Sequence, residues 1–111
     1  SRLDPVGSPL ALKDLLDNVK YQIEHEIYLI DEIVAKFHHR LIQIHLFSNG
    51  NGRHARFTAD LLLIANTTPL FSWGNRLSKD MPNEEIRKKY INSLRSADKH
   101  DYQPLLEFIR Q

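Results

Sequence analysis

Apolar residues recur along most of this chain at the three- and four-residue spacing of an amphipathic helix. Leu12, Leu15, Leu16, Val19 and Ile23 set the first stripe, and Ser8-Pro9 reads as an N-cap with proline at the first helical position. The spacing predicts a helix from about Pro9 to His25, with Lys13, Asp14, Asp17 and Lys20 on its solvated face. Ile33, Val34, Phe37, Leu41 and Ile44 predict a second helix over Asp31 to Ile44, capped by Asp31 and followed by His45. A third is predicted from near Asn51 to about Asn66. There Phe57, Leu61, Leu62, Ile64 and Ala65 leave few polar sides. A helix apolar on most sides is expected to be central and buried, so these side chains should be largely inaccessible.

Thr67-Thr68-Pro69 ends that helix. Leu70 to Asp80 reads as a connection in which Trp73 anchors packing. Pro82-Asn83 before Glu84-Glu85 reads as the cap of a fourth helix, with Ile86, Tyr90, Leu94 and Ala97 as its stripe. Asp101 is expected to cap a short last helix with Pro104 in its first turns and Leu105, Leu106, Phe108 and Ile109 on its apolar side. No segment alternates at the strand period. The pattern therefore predicts an all-α domain of about five helices spanning 9–111, preceded by a linker over 1–8. The chain begins at Ser1 and not at methionine, which suggests a fragment or a processed form.

Composition narrows the function classes. An apolar share of 41% argues against disorder, and a net charge of +1 without a basic stripe does not favour nucleic acid as partner. The absence of cysteine removes disulfides and thiolate metal sites. No apolar run reaches the roughly 20 residues of a membrane span, and no signal peptide is visible, so the cytoplasm is the expected location. The pair His38-His39 invites a metal reading. Neighbours on a helix point about 100° apart, however, and helical zinc pairs use four-residue spacing, so both are read as packing or surface residues. His25 and His100 are read the same way.

The chemistry concentrates in His45-Leu46-Phe47-Ser48-Asn49-Gly50-Asn51-Gly52-Arg53-His54-Ala55-Arg56, between the second and third helices. Gly50 and Gly52 let backbone N–H groups approach an anion closely, and the new helix adds its positive end. Asn51 can donate a side-chain N–H, and Arg53 and Arg56, three apart, can each grip phosphate. Two arginines with such a nest suit a di- or triphosphate. His45, with a reference pKa of about 6.5, suits a general base. A calcium loop fails because Phe47 and Thr58 would occupy ligand positions, and a P-loop fails because Gly52 is followed by Arg53-His54.

The string HLFSNGNGRHAR resembles the Fic motif: histidine, any residue, phenylalanine, two variable residues, GNGR, and an arginine three further on. IVAKFHHRLIQIH is similar to the helix that precedes the motif, RFTADLLL to the helix after it, and KKYINSLRSADKHDYQPLLEFIR to the closing helices. The likeness runs from about Lys13 onward and is nearest to the members called mobile mystery protein B. It implies a Fic-like helical bundle that transfers AMP from ATP to a tyrosine, serine or threonine hydroxyl of a target protein. By that resemblance His45 takes the hydroxyl proton and Phe47 anchors the loop in the core. Ser48, Asn49, Gly50, Asn51 and Gly52 line the phosphates, with Arg53 on the β- and Arg56 on the γ-phosphate.

Two positions depart from the family pattern. Asn49 stands where an aspartate or glutamate usually holds magnesium; its amide oxygen can ligate but carries no charge, so weaker magnesium binding is expected. Leu46 replaces the usual proline. The β-hairpin flap that docks targets in the family is expected to be missing, because the stretch before Pro9 is short. The inhibitory pattern of serine or threonine four residues before glutamate occurs at no glutamate of the chain. Inhibition is then expected from a separate antitoxin-like protein or another part of the polypeptide. The alternatives are a nucleotide-binding or interaction module with little catalysis, and a Doc-like phosphotransferase. The second glycine of GNGR argues against the latter.

Overall fold

The computed structural model describes residues 9–45 and 51–111. All regular structure among them is helical: α1 Pro9–Glu24, α2 Ile30–His45, α3 Asn51–Ala65, a 3₁₀ turn Asn75–Lys79, α4 Asn83–Asp98 and α5 Gln103–Phe108. Helices α1, α2 and α3 fall within a residue or two of the expected spans; α4 contains the stripe expected of the fourth helix, and α5 that of the last as far as Phe108. The Ser8 cap lies outside the described residues. The chain divides into two compact units, Ser1–Pro69 and Leu70–Gln111.

In the first unit α1 and α3 both pack on α2. The reason is the width of the apolar surface on α2. Ile33, Val34, Phe37, Leu41 and Ile44 are all buried, and Ala35, His38 and His39 are buried with them. Val19 of α1 and Ala55 of α3 complete this core with Ile33, Phe37 and Leu41, and Leu15, Ile23, Ile42 and Leu62 pack at its edge. Asp31 does not cap α2, since the helix begins one residue earlier; with Glu32 it places acid in the first turn, where the helix dipole favours it.

The central helix of this unit is therefore α2, and the expectation that α3 is buried on most sides is corrected. Helix α3 meets α2 through Ala55, Ala59 and Leu63, which recur every four residues and are buried. Small side chains at the first two positions let the helix axes approach closely. The larger apolar residues lie on the far side: Phe57 is 61%, Leu61 50% and Ile64 62% exposed. Ala65 is also exposed, and Leu62 is half-buried. At 100° per residue the Phe57–Leu61–Ile64 stripe stands roughly opposite the Ala55–Ala59–Leu63 stripe. One helix cannot turn both toward α2.

Three helices end in the same way without glycine. After α1, α3 and α4 the chain enters the left-handed region at Glu26, Thr67 and His100, with φ of 49°, 54° and 66°. Each end carries the paired backbone bonds of a Schellman turn: Glu26 N–H to Ile23 and Ile27 N–H to Gln22, Thr67 to Ile64 and Thr68 to Leu63, His100 to Ala97 and Asp101 to Ser96. These bonds satisfy carbonyls that the helix ends would otherwise leave unmade.

The second unit closes on itself through its two chain ends. The N–H groups of Ser72 and Trp73 donate to the Ile109 carbonyl at 2.8 and 3.1 Å, and Arg76 N–H donates to the Gln111 carbonyl at 3.0 Å. Arg110 donates from Nη1 to the Leu70 carbonyl and lies over the Phe71 ring. Trp73 does anchor packing: it meets Phe71 and Tyr90 edge-on at 5.5 and 6.1 Å, and Tyr90 meets Phe108 at 5.7 Å. The connection before α4 contains the 3₁₀ turn, which the hydrophobic pattern did not predict. Asn83 is the first residue of α4 behind Pro82, and no side chain caps that helix. The N-cap of α5 is Tyr102 and not the expected Asp101, which stands one residue earlier and accepts from Gln103 N–H at 3.3 Å.

Candidate functional site

Two packed helices hold the ends of the motif. His45 is the last residue of α2, and Asn51 the first of α3. Phe47, Ser48, Asn49 and Gly50 lie outside the described residues. His45, Asn51 and Gly52 are placed by their helices alone. Gly52 is a helical residue, so it contributes close approach of the backbone and not a positive φ.

The first turn of α3 contains no acidic residue. Its N–H groups and partial positive charge are not offset locally, which suits an anion. Arg53 is exposed and Arg56 half-buried. Between them Ala55 is 1% exposed and packed into the core with Phe37 and Leu41 of α2. The backbone that carries both arginines is therefore held against the helix that carries His45. Thr58 Oγ1 donates to the His54 carbonyl at 2.8 Å, tying the next turn to this one.

Beneath this turn lies His38, wholly buried. Its ring is hydrogen-bonded to the backbone of Ala55, and the bond favours the protonated ring, as a carbonyl acceptor does. Burial outweighs that bond and pushes the imidazole down to about 3, with the Arg56 and His39 charges acting in the same direction. Asp60, one turn beyond Arg56, has its carboxyl raised by partial burial, with the Arg56 guanidinium opposing the rise. Arg56 thus stands near a neutral imidazole and a carboxylate.

Sequence reasoning treated His38 as packing, and packed it is; its bond to the α3 backbone was not foreseen. A signal existed, because His38 falls four residues after Val34 and three before Leu41, inside the apolar stripe of α2. A polar side chain held on a core stripe must find a partner there.

Comparison with known proteins identifies the family. The model of the Fic/DOC family matches residues 5–63. The chain is 28% identical over 110 residues to protein adenylyltransferase fic-1 of Caenorhabditis elegans, covering 97% of this chain and 20% of that protein. It is 27% identical, with the same coverage, to protein adenylyltransferase fic-1 of Caenorhabditis briggsae. The chain thus spans about a fifth of the length of these relatives. No solved structure matches it. The family match covers more than half of the chain, including the whole motif and the helices on either side of it. The chain belongs to the Fic/DOC family. Among the described residues no helix is long and apolar enough to cross a membrane.

Proposed function

We propose that this chain is the nucleotide-transfer core of a protein adenylyltransferase. The observation that carries the reading is the complete HLFSNGNGRHAR string at the junction of two packed helices, with both arginines on the acid-free start of α3. ATP is the nucleotide substrate. Arg53 holds the β-phosphate and Arg56 the γ-phosphate, each as a charge-assisted pair. Asn51, Ser48 and the N–H groups of the Gly50–Arg53 stretch hold the α- and β-phosphates.

His45 accepts the proton of the target's tyrosine, serine or threonine hydroxyl. The hydroxyl oxygen then bonds to the α-phosphorus, the bond from that phosphorus to the bridging oxygen breaks, and pyrophosphate leaves. Phe47 anchors the loop. Asn49 would offer magnesium a neutral oxygen, and the ion would supply positive charge for the pyrophosphate. A separate antitoxin-like protein would hold the activity in check.

The test supplies ATP labelled either at the α- or at the γ-phosphate to the full chain and candidate target proteins. Label from the α-phosphate should appear on protein, with the added mass of one AMP, and His45→Ala should lower the rate by about 10²–10⁴. Nucleotide binding by His45→Ala should persist, because the base acts on the hydroxyl. Label from the γ-phosphate would identify a Doc-like kinase instead. Asn49 in the acidic position favours a second reading, a nucleotide-binding module, which the same experiment would reveal as binding without label on protein.

A further inference from the structure

We propose that His38 is a positioning residue for the phosphate site: through the Ala55 backbone it fixes the turn of α3 from which Arg53 and Arg56 project. The inference rests on the nucleotide-transfer reading of the motif and adds a residue seven positions before His45 to it.

The argument begins with cost. A wholly buried imidazole loses its hydration, and leucine or phenylalanine would fill the same place in the α2 stripe without that loss. What the imidazole adds is a hydrogen bond to another helix. Its acceptor is a backbone group of α3, so the bond defines helix register and not a side-chain rotamer. A backbone carbonyl has two lone pairs and can serve its own helix and the ring together.

The location gives the bond its consequence. Ala55 lies two residues after Arg53 and one before Arg56. The Ala55–Ala59–Leu63 stripe sets which face of α3 meets α2, but at the first turn its contact is a single methyl group, which holds the local orientation less firmly than Leu63 does further on. A directional bond to Ala55 adds a constraint at that turn. Rotation of this turn would swing both guanidinium groups away from the phosphates, and charge-assisted pairs weaken steeply when misaligned. The ring is also suited to its neighbour. Arg56 acts on it electrostatically, and a lysine or arginine at position 38 would repel that guanidinium.

Two variants separate positioning from packing. His38→Leu fills the core without a donor; His38→Gln retains an N–H donor. ATP affinity of the full chain is measured by calorimetry well below each variant's melting temperature, together with that temperature. His38→Leu should weaken ATP on the order of tenfold, the size of one disturbed charge-assisted contact, without a matching loss of Tm. His38→Gln should recover most of the affinity even if its Tm is lower. In the unaltered chain the His38 ring N–H resonance should shift on ATP addition, which tests the coupling without any substitution. Equal ATP affinity in His38→Leu, affinity that merely follows Tm across both variants, or an unmoved ring resonance would each overturn the inference while leaving nucleotide binding in place. An unaltered chain that binds no ATP would overturn the nucleotide-transfer reading and this inference with it.

Discussion

The His38 ring, sealed inside α2, is hydrogen-bonded to the backbone of Ala55 on α3. This bond joins the helix that ends in His45 to the turn that carries the two arginines of the motif. Burial of the ring, which this bond only partly offsets, also makes the fold sensitive to acid. In the unfolded chain His38 takes up a proton below about pH 6.5, whereas in the folded chain it stays neutral down to about 3. Arg56 from α3 and His39 from α2 oppose that protonation along with burial.

Across that window the unfolded chain binds the extra proton, so stability is lost as pH falls from about 6.5 toward 3. Each pH unit of the window is worth about 1.4 kcal/mol, so the loss from His38 reaches a few kcal/mol at the acid end. Urea denaturation at neutral pH and near pH 4 measures it. His38→Leu should lose less stability than the unaltered chain over the same interval; equal losses would show that other groups dominate.

The two faces of α3 predict opposite outcomes for neighbouring leucines. Leu63→Ala removes a wholly buried side chain and should cost about 2–5 kcal/mol. Leu61→Ala alters a half-exposed position and should cost about 1 kcal/mol or less. Chemical denaturation of the two variants under one condition decides the order, and a costlier Leu61→Ala would contradict the packing described.

Gly74 of the second unit has φ of +74°, and a Cβ built there would stand 2.5 Å from Cε1 and 2.7 Å from Cζ of Phe108. Gly74→Ala therefore combines backbone strain with a clash against a buried ring. It should destabilise by more than about 1 kcal/mol, seen as a lower Tm and disturbed near-ultraviolet dichroism from Trp73 and Tyr90. An unchanged Tm would show that Phe108 can move aside.

Asn49 gives the sharpest chemical prediction. On the proposed reading, a neutral amide at position 49 would leave the magnesium site one anionic ligand short, so transfer by the unaltered chain should need high magnesium. Asn49→Asp should raise the rate and lower the magnesium concentration for half-maximal transfer. Transfer rate against magnesium concentration for both forms is the measurement. A rate unaffected by chelator, together with a slower Asn49→Asp, would indicate that Arg53, Arg56 and the helix terminus neutralise the phosphates alone.

Periodicity and turn chemistry were enough to locate the five helices and the stripe Ile33–Val34–Phe37–Leu41–Ile44, because an unbroken apolar stripe has to be buried wherever the chain folds. The motif between His45 and Arg56 was legible as a family signature, because its glycines, arginines and histidine stand at fixed spacing. Tertiary structure alone decided which face of α3 packs on α2. Hydrophobicity favoured Phe57, Leu61 and Ile64; close approach between helices favoured Ala55 and Ala59, whose small side chains carry little apolar signal. The same holds for the helix ends at Glu26, Thr67 and His100, where cooperative backbone bonds impose a left-handed residue that glycine would have announced. It holds most for His38, a polar residue on a core stripe. Its partner is a backbone group seventeen residues away, and a backbone group has no signature in sequence.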